Sequence, residues 1–195
     1  NGDVMVFDQI LMATGRSPNT DGLGLGEAGV ELAPGGAIVV DPYSKSTADN
    51  VYAVGDCTNR LPLTPIAIHE AQCLFETLYK DNPTRPEYRD VPSCVFSQPA
   101  IGTVGLTETE AREALGAVDV YRSKFRPLKH TLSGRDEVTL TKLVVDAGTG
   151  RMVGAHMVGA EAGEIIQGLA IAVKAGLTKA QFDATMGIHP TSAEE

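Results

Sequence analysis

Two strand-like runs joined by a short glycine-containing turn constrain the C-terminal half of the chain most strongly. The runs cover 139–146 and 151–158, and Ala147-Gly148-Thr149-Gly150 lies between them. Two such runs with a short turn predict a β-hairpin, whose strands are antiparallel. The next run, 161–175, has apolar side chains at helical spacing, at Ile165, Ile166, Leu169, Ala172 and Val173. This spacing predicts a core-packing helix, ended by Gly176.

The N-terminal half has shorter, continuously apolar runs of the kind that form buried strands. These runs lie at 4–13, 37–41 and 50–56. A helix is predicted over 65–80, with Pro65 in its first turn and Thr64 as its cap. A second helix is predicted over 108–115. Since the chain starts with Asn1 rather than Met and a strand-like run follows from Val4, we expect it to be part of a longer polypeptide.

A change of character near residue 90 predicts a domain boundary. The segment 81–86, with the sequence DNPTRP, has the composition of a linker. Beyond it, hairpin signals replace the short buried runs. A length of 195 residues with 43% hydrophobic content allows one large or two small domains.

Charge and cysteine usage exclude several classes of function. The net charge is −9 and no lysine or arginine cluster occurs, so neither nucleic acid nor an anionic membrane is an expected partner. No apolar run is long enough to span a membrane. Cys57, Cys73 and Cys94 are 16 and 21 positions apart, which fits neither a zinc site nor a Cys-x-x-Cys pair. We expect buried thiols, no metal and a reducing, cytoplasmic location.

The chain ends in a histidine that stands five residues before a glutamate, across a proline. If Glu194 accepts a hydrogen bond from one ring nitrogen of His189, it fixes the tautomer and leaves the other nitrogen for proton transfer. This is a candidate acid–base pair. The alternative is structural, because Thr191 and Glu194 also have the spacing of a helix capping box.

A second candidate site lies where the run 50–56 ends in Gly55-Asp56. Ligands of open α/β sheets bind at such strand ends, where a carboxylate can accept hydrogen bonds from hydroxyl groups of a sugar alcohol. The predicted helix that follows would direct its positive N-terminal end, at Leu63 and Thr64, toward a nearby negative charge. The alternative for Gly55-Asp56 is an ordinary turn.

Five segments, in this order and spacing, resemble the pyridine nucleotide-disulfide oxidoreductase family, and most closely its glutathione reductases. They are 13–20 (ATGRSPNT), 52–56 (YAVGD), 63–65 (LTP), 95–99 (VFSQP) and 189–195 (HPTSAEE). The resemblance covers essentially the whole chain. The terminal motif and the Gly-Asp motif are specific in combination, whereas neither is specific alone.

The resemblance implies an α/β part followed by an α+β part. Residues 1–16 would complete an NADPH-binding domain, and 17–89 would form the C-terminal part of an FAD-binding domain. Residues 90–195 would form a dimerisation domain with an antiparallel sheet. The redox Cys-x4-Cys pair and the glycine-rich dinucleotide motifs of the family would lie upstream, so the chain alone would be inactive.

The resemblance also assigns cofactor contacts by position. Asp56, preceded by Gly55, matches the aspartate that binds the ribityl chain of FAD. Leu63 and Thr64 match the helix start near the pyrimidine edge of the flavin, and Gly15 belongs to the same cofactor-binding set. NADPH would reduce FAD, the flavin would reduce a disulfide, and the resulting thiolate would attack the substrate disulfide.

The remaining assignments concern catalysis and substrate. His189 matches the acid–base histidine of the family, and Glu194 matches the carboxylate that orients it. Thr191 and Glu195 match positions that line the glutathione site, and Ile68, on the predicted helix 65–80, would face the same pocket. Because this histidine reaches the partner subunit's disulfide in the family, the resemblance implies a homodimer that acts on glutathione disulfide.

The sequence departs from well-known glutathione reductases in ways that bear on the substrate. Gln72 stands where many have an arginine that meets a glutathione carboxylate, and Lys129 stands where some have a tyrosine. Lys129 or Arg126 could supply the missing positive charge. Trypanothione reductase and dihydrolipoamide dehydrogenase remain alternatives, as does a non-catalytic dimerisation module.

Overall fold

The computed structural model describes residue 2 and residues 4–195, which divide between Glu87 and Tyr88 into two compact units. We call them the N-terminal unit and the C-terminal unit. The N-terminal unit contains a 3₁₀ helix, Gly55–Thr58, and helix α1, Thr64–Tyr79. Its core centres on the buried side chains Val30, Ile38 and Ala53.

The short apolar runs of the N-terminal unit do not form the strands that the sequence predicts. The runs 37–41 and 50–56 take part only in isolated bridges, Leu32 to Ile38, Val40 to Ser46 and Lys45 to Tyr52. No strand forms within the described residues of 4–13, and the large apolar side chains there are exposed. These predictions are wrong because an apolar run becomes a strand only where a neighbouring strand completes its hydrogen bonds.

Helix α1 starts one residue earlier than predicted, at Thr64, and its N-cap is Leu63. Thr64 is therefore not the cap, and no side chain caps this helix end. Pro65 occupies the first turn, where its missing N–H removes no intrahelical hydrogen bond. One face of α1 is buried, at Ile66, Glu70 and Cys73.

The C-terminal unit is built on a five-stranded antiparallel sheet in the order β1-β2-β5-β4-β3. The strands are β1 Ser93–Val95, β2 Ile101–Gly105, β3 Val118–Phe125, β4 Thr139–Asp146 and β5 Met152–Val158. The helices of this unit are α2 Glu108–Leu115, α3 Lys129–Ser133, α4 Ala162–Lys174 and α5 Lys179–Asp183. The predicted hairpin is confirmed, as is the α+β fold class of this half.

Helix α4 packs its apolar stripe on β2 and β5. The core it forms with the sheet includes Val104, Ala155, Met157, Ile166 and Val173. The predicted end of this helix is also confirmed. Gly176 has φ +73°, its N–H donates to Val173 O at 2.9 Å, and the Leu177 N–H donates to Ala172 O at 3.1 Å.

The three cysteines are free thiols. Cys73 is buried, whereas Cys57 and Cys94 are half-buried, so the prediction of burial holds fully for one of them. Burial raises the pKa of the Cys57 and Cys73 thiols, which favours the protonated, unreactive form. Across the described residues there is no cluster of His, Cys, Asp and Glu that could hold a metal ion. Within the same residues, no helix is long and apolar enough to cross a membrane.

Candidate functional site

The C-terminal segment after α5 brings His189 and Glu194 into contact. Nδ1 of His189 lies 3.0 Å from Oε1 and 3.3 Å from Oε2 of Glu194. Gly187 allows this approach, because a Cβ at position 187 would lie 2.7 Å from the Cβ of Glu194. The segment folds by a turn rather than a helix.

Thr191 and Glu194 form only one of the two hydrogen bonds that a helix capping box would have. The Thr191 N–H donates to Glu194 Oε1 at 3.2 Å, as one arm of such a box would. The Thr191 hydroxyl instead donates to Ile188 O at 2.6 Å, and no helix starts at Thr191 in the described chain. The Glu194 carboxylate therefore both closes the turn and contacts the His189 ring.

This geometry suits an acid–base group. Glu194 meets the ring only at Nδ1, and the His189 side chain is 72% exposed, so Nε2 is accessible to another molecule. A carboxylate at Nδ1 sets the tautomer of the ring and holds its orientation. The pair can accept a proton at Nε2 and return it.

A groove of about 670 Å³ lies beside this pair in the C-terminal unit. Thr191, Glu194 and Glu195 are among the residues that line it, together with Leu143 and Phe182. Two of the three predicted substrate residues, Thr191 and Glu195, thus share a groove with Glu194. The third, Ile68, lies on α1 in the N-terminal unit and is 56% exposed.

The Asp56 carboxylate stands on the 3₁₀ helix of the N-terminal unit, with its side chain 52% exposed. It lies 3.7 Å from Nη2 of Arg16, the neighbour of Gly15. Gly55 has φ +74°, and a Cβ there would lie 2.9 Å from the Cβ of Ala67 on α1. Glycine is therefore required twice at position 55, by backbone conformation and by close packing.

The α1 N-terminus is open to a ligand. Leu63 is half-buried, Thr64 is exposed, and the N-cap residue makes no side-chain hydrogen bond to the helix start. A helix start with this geometry favours a negative charge or a hydrogen-bond acceptor nearby. The Asp56 carboxylate is suited to accept hydrogen bonds from hydroxyl groups, and the start of α1 is suited to the polar edge of a ring. Both features lie in the N-terminal unit.

Sequence reasoning missed a buried ion pair in the N-terminal unit. Glu70, on α1, is 1% exposed, and its Oε2 lies 3.0 Å from Nη2 of Arg60. The same oxygen accepts from the Gly55 N–H at 2.6 Å. Glu70 has the helical spacing that places it on the same face as Ile66 and Cys73. A carboxylate on an otherwise apolar helix face could have predicted a buried ion pair.

The two cations that the sequence analysis offered for substrate binding are engaged within the C-terminal unit. Nζ of Lys129 lies 2.7 Å from Oε1 of Glu161. Nη2 of Arg126 donates to Arg135 O at 2.5 Å. To bind a substrate carboxylate, either side chain would have to break these contacts.

Two family descriptions match this chain. Residues 1–71 match "Pyridine nucleotide-disulphide oxidoreductase", and residues 91–195 match "Pyridine nucleotide-disulphide oxidoreductase, dimerisation domain". Among curated proteins, the pea protein "Glutathione reductase, chloroplastic/mitochondrial" is 54% identical over 97% of this chain and 34% of its own length. The "Glutathione reductase" of Burkholderia cepacia is 54% identical over 100% of this chain and 43% of its own length.

Relatives of lower identity include proteins with other names. The "Trypanothione reductase" of Leishmania donovani is 44% identical over 97% of this chain and 39% of its own length. A solved structure, the HOCl-induced flavoprotein disulfide reductase RclA from Escherichia coli, superimposes with a TM-score of 0.83 at 29% identity. It matches over 93% of this chain and 42% of the RclA chain.

This chain therefore spans less than half the length of the curated relatives it matches. The dimerisation-domain description alone matches more than half of the chain. The five motifs that suggested the resemblance lie within or between the two matched regions. The chain belongs to the pyridine nucleotide-disulphide oxidoreductase family.

Proposed function

We propose that this chain supplies flavin contacts and the acid–base pair of an FAD-dependent, NADPH-using glutathione-disulfide reductase. The observation that carries the proposal is the 3.0 Å contact between His189 Nδ1 and Glu194 Oε1 on an exposed ring. The motif order and the 54% identity to two proteins named glutathione reductase support the same function.

The flavin contacts would come from the N-terminal unit. When bound, FAD supplies electron transfer from NADPH to a redox disulfide. The half-exposed Asp56 carboxylate would accept hydrogen bonds from the ribityl hydroxyls, and Gly55 and Gly15 would shape the approach. The helix start at Leu63 and Thr64 would face the polar edge of the flavin ring. In this proposal, residues 1–16 belong to the NADPH-binding domain and 17–89 to the FAD-binding domain.

The acid–base step would occur at Nε2 of His189. A thiolate from the redox pair attacks one sulfur of the substrate disulfide, a new sulfur–sulfur bond forms, and the other sulfur leaves as a thiolate. The His189 imidazolium donates its Nε2 proton to that leaving sulfur. Glu194 would hold the ring in position before and after the proton transfer.

Dimerisation would complete the site. We assign 90–195 as the dimerisation domain, which agrees in extent with the matched description. The C-terminal unit exposes large apolar side chains suited to an interface, at Ile171, Met186 and Ile188. Ile188 adjoins His189, so a contact there would carry the ring toward the partner. The homodimer would be cytoplasmic, as the free thiols favour.

Glutathione disulfide is the substrate we propose, since the two relatives that are 54% identical to this chain are both named glutathione reductase. Thr191, Glu195 and Ile68 would contact it. Gln72 stands where many glutathione reductases have an arginine that binds a glutathione carboxylate. Lys129 or Arg126 would supply that positive charge instead. An unchanged KM for glutathione disulfide in both Lys129→Ala and Arg126→Ala would contradict that last assignment.

The test is spectroscopic and kinetic, on the full-length polypeptide that carries this chain. We expect a yellow protein whose flavin absorbance is bleached by NADPH and restored by glutathione disulfide. Trypanothione disulfide and lipoamide, supplied at the same concentration, should restore it more slowly. A colourless protein would contradict the proposal, and faster reaction with trypanothione disulfide would reassign the substrate.

A further inference from the structure

Glu70 and Arg60 form a buried ion pair that has no part in the proton transfer proposed above. Glu70 is 1% exposed and the Arg60 side chain is 23% exposed. A buried ion pair gains little stability over an apolar pair of equal size, because both ions lose hydration. The role of this ion pair therefore follows from the residues that it contacts rather than from its contribution to stability.

Glu70 contacts residues that precede and follow Asp56 in the sequence. On one side, its Oε2 accepts from the N–H of Gly55, the residue before Asp56, at 2.6 Å. On the other side it pairs with Arg60, whose Nε donates to Thr58 Oγ1 at 3.2 Å. The Thr58 hydroxyl donates to Gly55 O at 2.8 Å and closes the loop of contacts.

The same glutamate belongs to the helix whose start is the second proposed flavin contact. Glu70 lies within α1, which begins at Thr64, and a helix of this length is rigid over the two turns between them. One side chain thus connects the Asp56 turn to the N-terminus of α1. The two are joined along the chain only through an irregular segment, 59–63.

We infer that Glu70 is a positioning residue for bound flavin, which sets the separation between the Asp56 carboxylate and the N-terminus of α1. The inference rests on the proposed FAD site. Without the carboxylate, the Gly55 N–H would lose its acceptor and Arg60 would lose one partner. Asp56 and Thr64 would then no longer be held at one distance, so FAD would bind more weakly to a folded protein.

The experiment measures the dissociation constant of FAD for the full-length polypeptide, from flavin fluorescence on titration of deflavinated protein. Glu70→Ala removes the acceptor and the charge, whereas Glu70→Gln keeps an acceptor oxygen for the Gly55 N–H. Glu76→Gln is the matched control, because Glu76 lies on the same helix and its carboxylate accepts a hydrogen bond from the Asn82 side chain. Thermal unfolding of each deflavinated variant gives the fraction folded at the titration temperature.

We expect Glu70→Ala to raise the dissociation constant by about tenfold to a hundredfold, the effect of one buried charge-assisted hydrogen bond. Glu70→Gln should raise it less, by roughly threefold to tenfold, and Glu76→Gln should not change it. Unchanged FAD affinity in folded Glu70→Ala would overturn the inference. If that variant does not fold, Glu70→Gln decides, and affinity equal to Glu76→Gln overturns it. Failure of the unaltered protein to bind FAD would instead overturn the proposed function.

Discussion

Nδ1 of His189 lies 3.0 Å from Oε1 of Glu194, although the two residues are joined by a turn without helix or strand. The contact depends on Gly187, whose missing side chain leaves room for Glu194. A pair held in this way is oriented before substrate arrives, which is what general acid–base catalysis requires.

Replacement of the ring should remove proton transfer and leave the earlier electron transfer intact. In the full-length polypeptide, we expect His189→Gln to lower kcat for glutathione disulfide by about a hundredfold to ten-thousandfold. Glu194→Gln should lower it less, because the ring remains. Stopped-flow reduction by NADPH should be unchanged in both variants, and Glu113→Gln on the exposed face of α2 is the control. Full turnover in His189→Gln would contradict the acid–base role.

Gly55 should be intolerant of a side chain for two separable reasons. Its φ of +74° disfavours any Cβ, and that Cβ would lie 2.9 Å from Ala67 Cβ. We expect Gly55→Ala to lower the free energy of unfolding by about 3 kcal/mol. Gly22→Ala has a similar φ of +75° with nothing within 4 Å, so it should cost only about 1 kcal/mol. Urea denaturation of the two variants measures the difference, and equal costs would show that the Ala67 contact is unimportant.

Glu108 should stabilise the C-terminal unit in a pH-dependent way. Hydrogen bonds from Lys142 and Arg112 lower its pKa to about 2, and Arg122 lies 2.5 Å away. A lowered carboxyl pKa contributes stability that is present above the unfolded value of 4.5 and is lost as pH falls toward about 2. Glu108→Gln should therefore be less stable than the unaltered chain at neutral pH, with the gap closing in acid. Urea denaturation at several pH values measures the difference in the free energy of unfolding between the two proteins. A difference that does not change with pH would contradict the prediction.

His156 should resist protonation. Burial, and secondarily Lys142, lower its pKa below the usual 6.5, while the hydrogen bond to Leu106 O acts in the opposite direction. Its Nδ1 lies 2.6 Å from Thr103 Oγ1, and its Nε2 lies 3.1 Å from Leu106 O. A lowered histidine pKa leaves full stability above 6.5, and stability falls as pH drops below that value.

Proton NMR titration of the ring checks this directly. The midpoint for His156 should lie below 6.5, and Lys142→Met should raise it without restoring the ordinary value, because burial is the larger cause. A midpoint at or above 6.5 for His156 in the unaltered chain would contradict the prediction.

Local patterns were sufficient wherever a contact lies close in the chain. The hairpin of β4 and β5, the boundaries of α2, and the Gly176 helix end all follow from spacing and turn residues within a few positions. The His189 and Glu194 pair was also predictable, since only a short turn separates its members. Its catalytic role remains a proposal.

The sequence by itself determined the family of this chain, its antiparallel C-terminal half and the residue types at its candidate sites. Tertiary structure decided which apolar runs become strands, because a strand at 4–13 or 37–41 needs hydrogen bonds from a neighbour that no local pattern supplies. It also decided that Glu70 reaches Gly55 across 15 positions and that Lys129 pairs with Glu161. Such contacts depend on where helices and loops pack, since a side chain's partner is set by distance in space rather than along the chain.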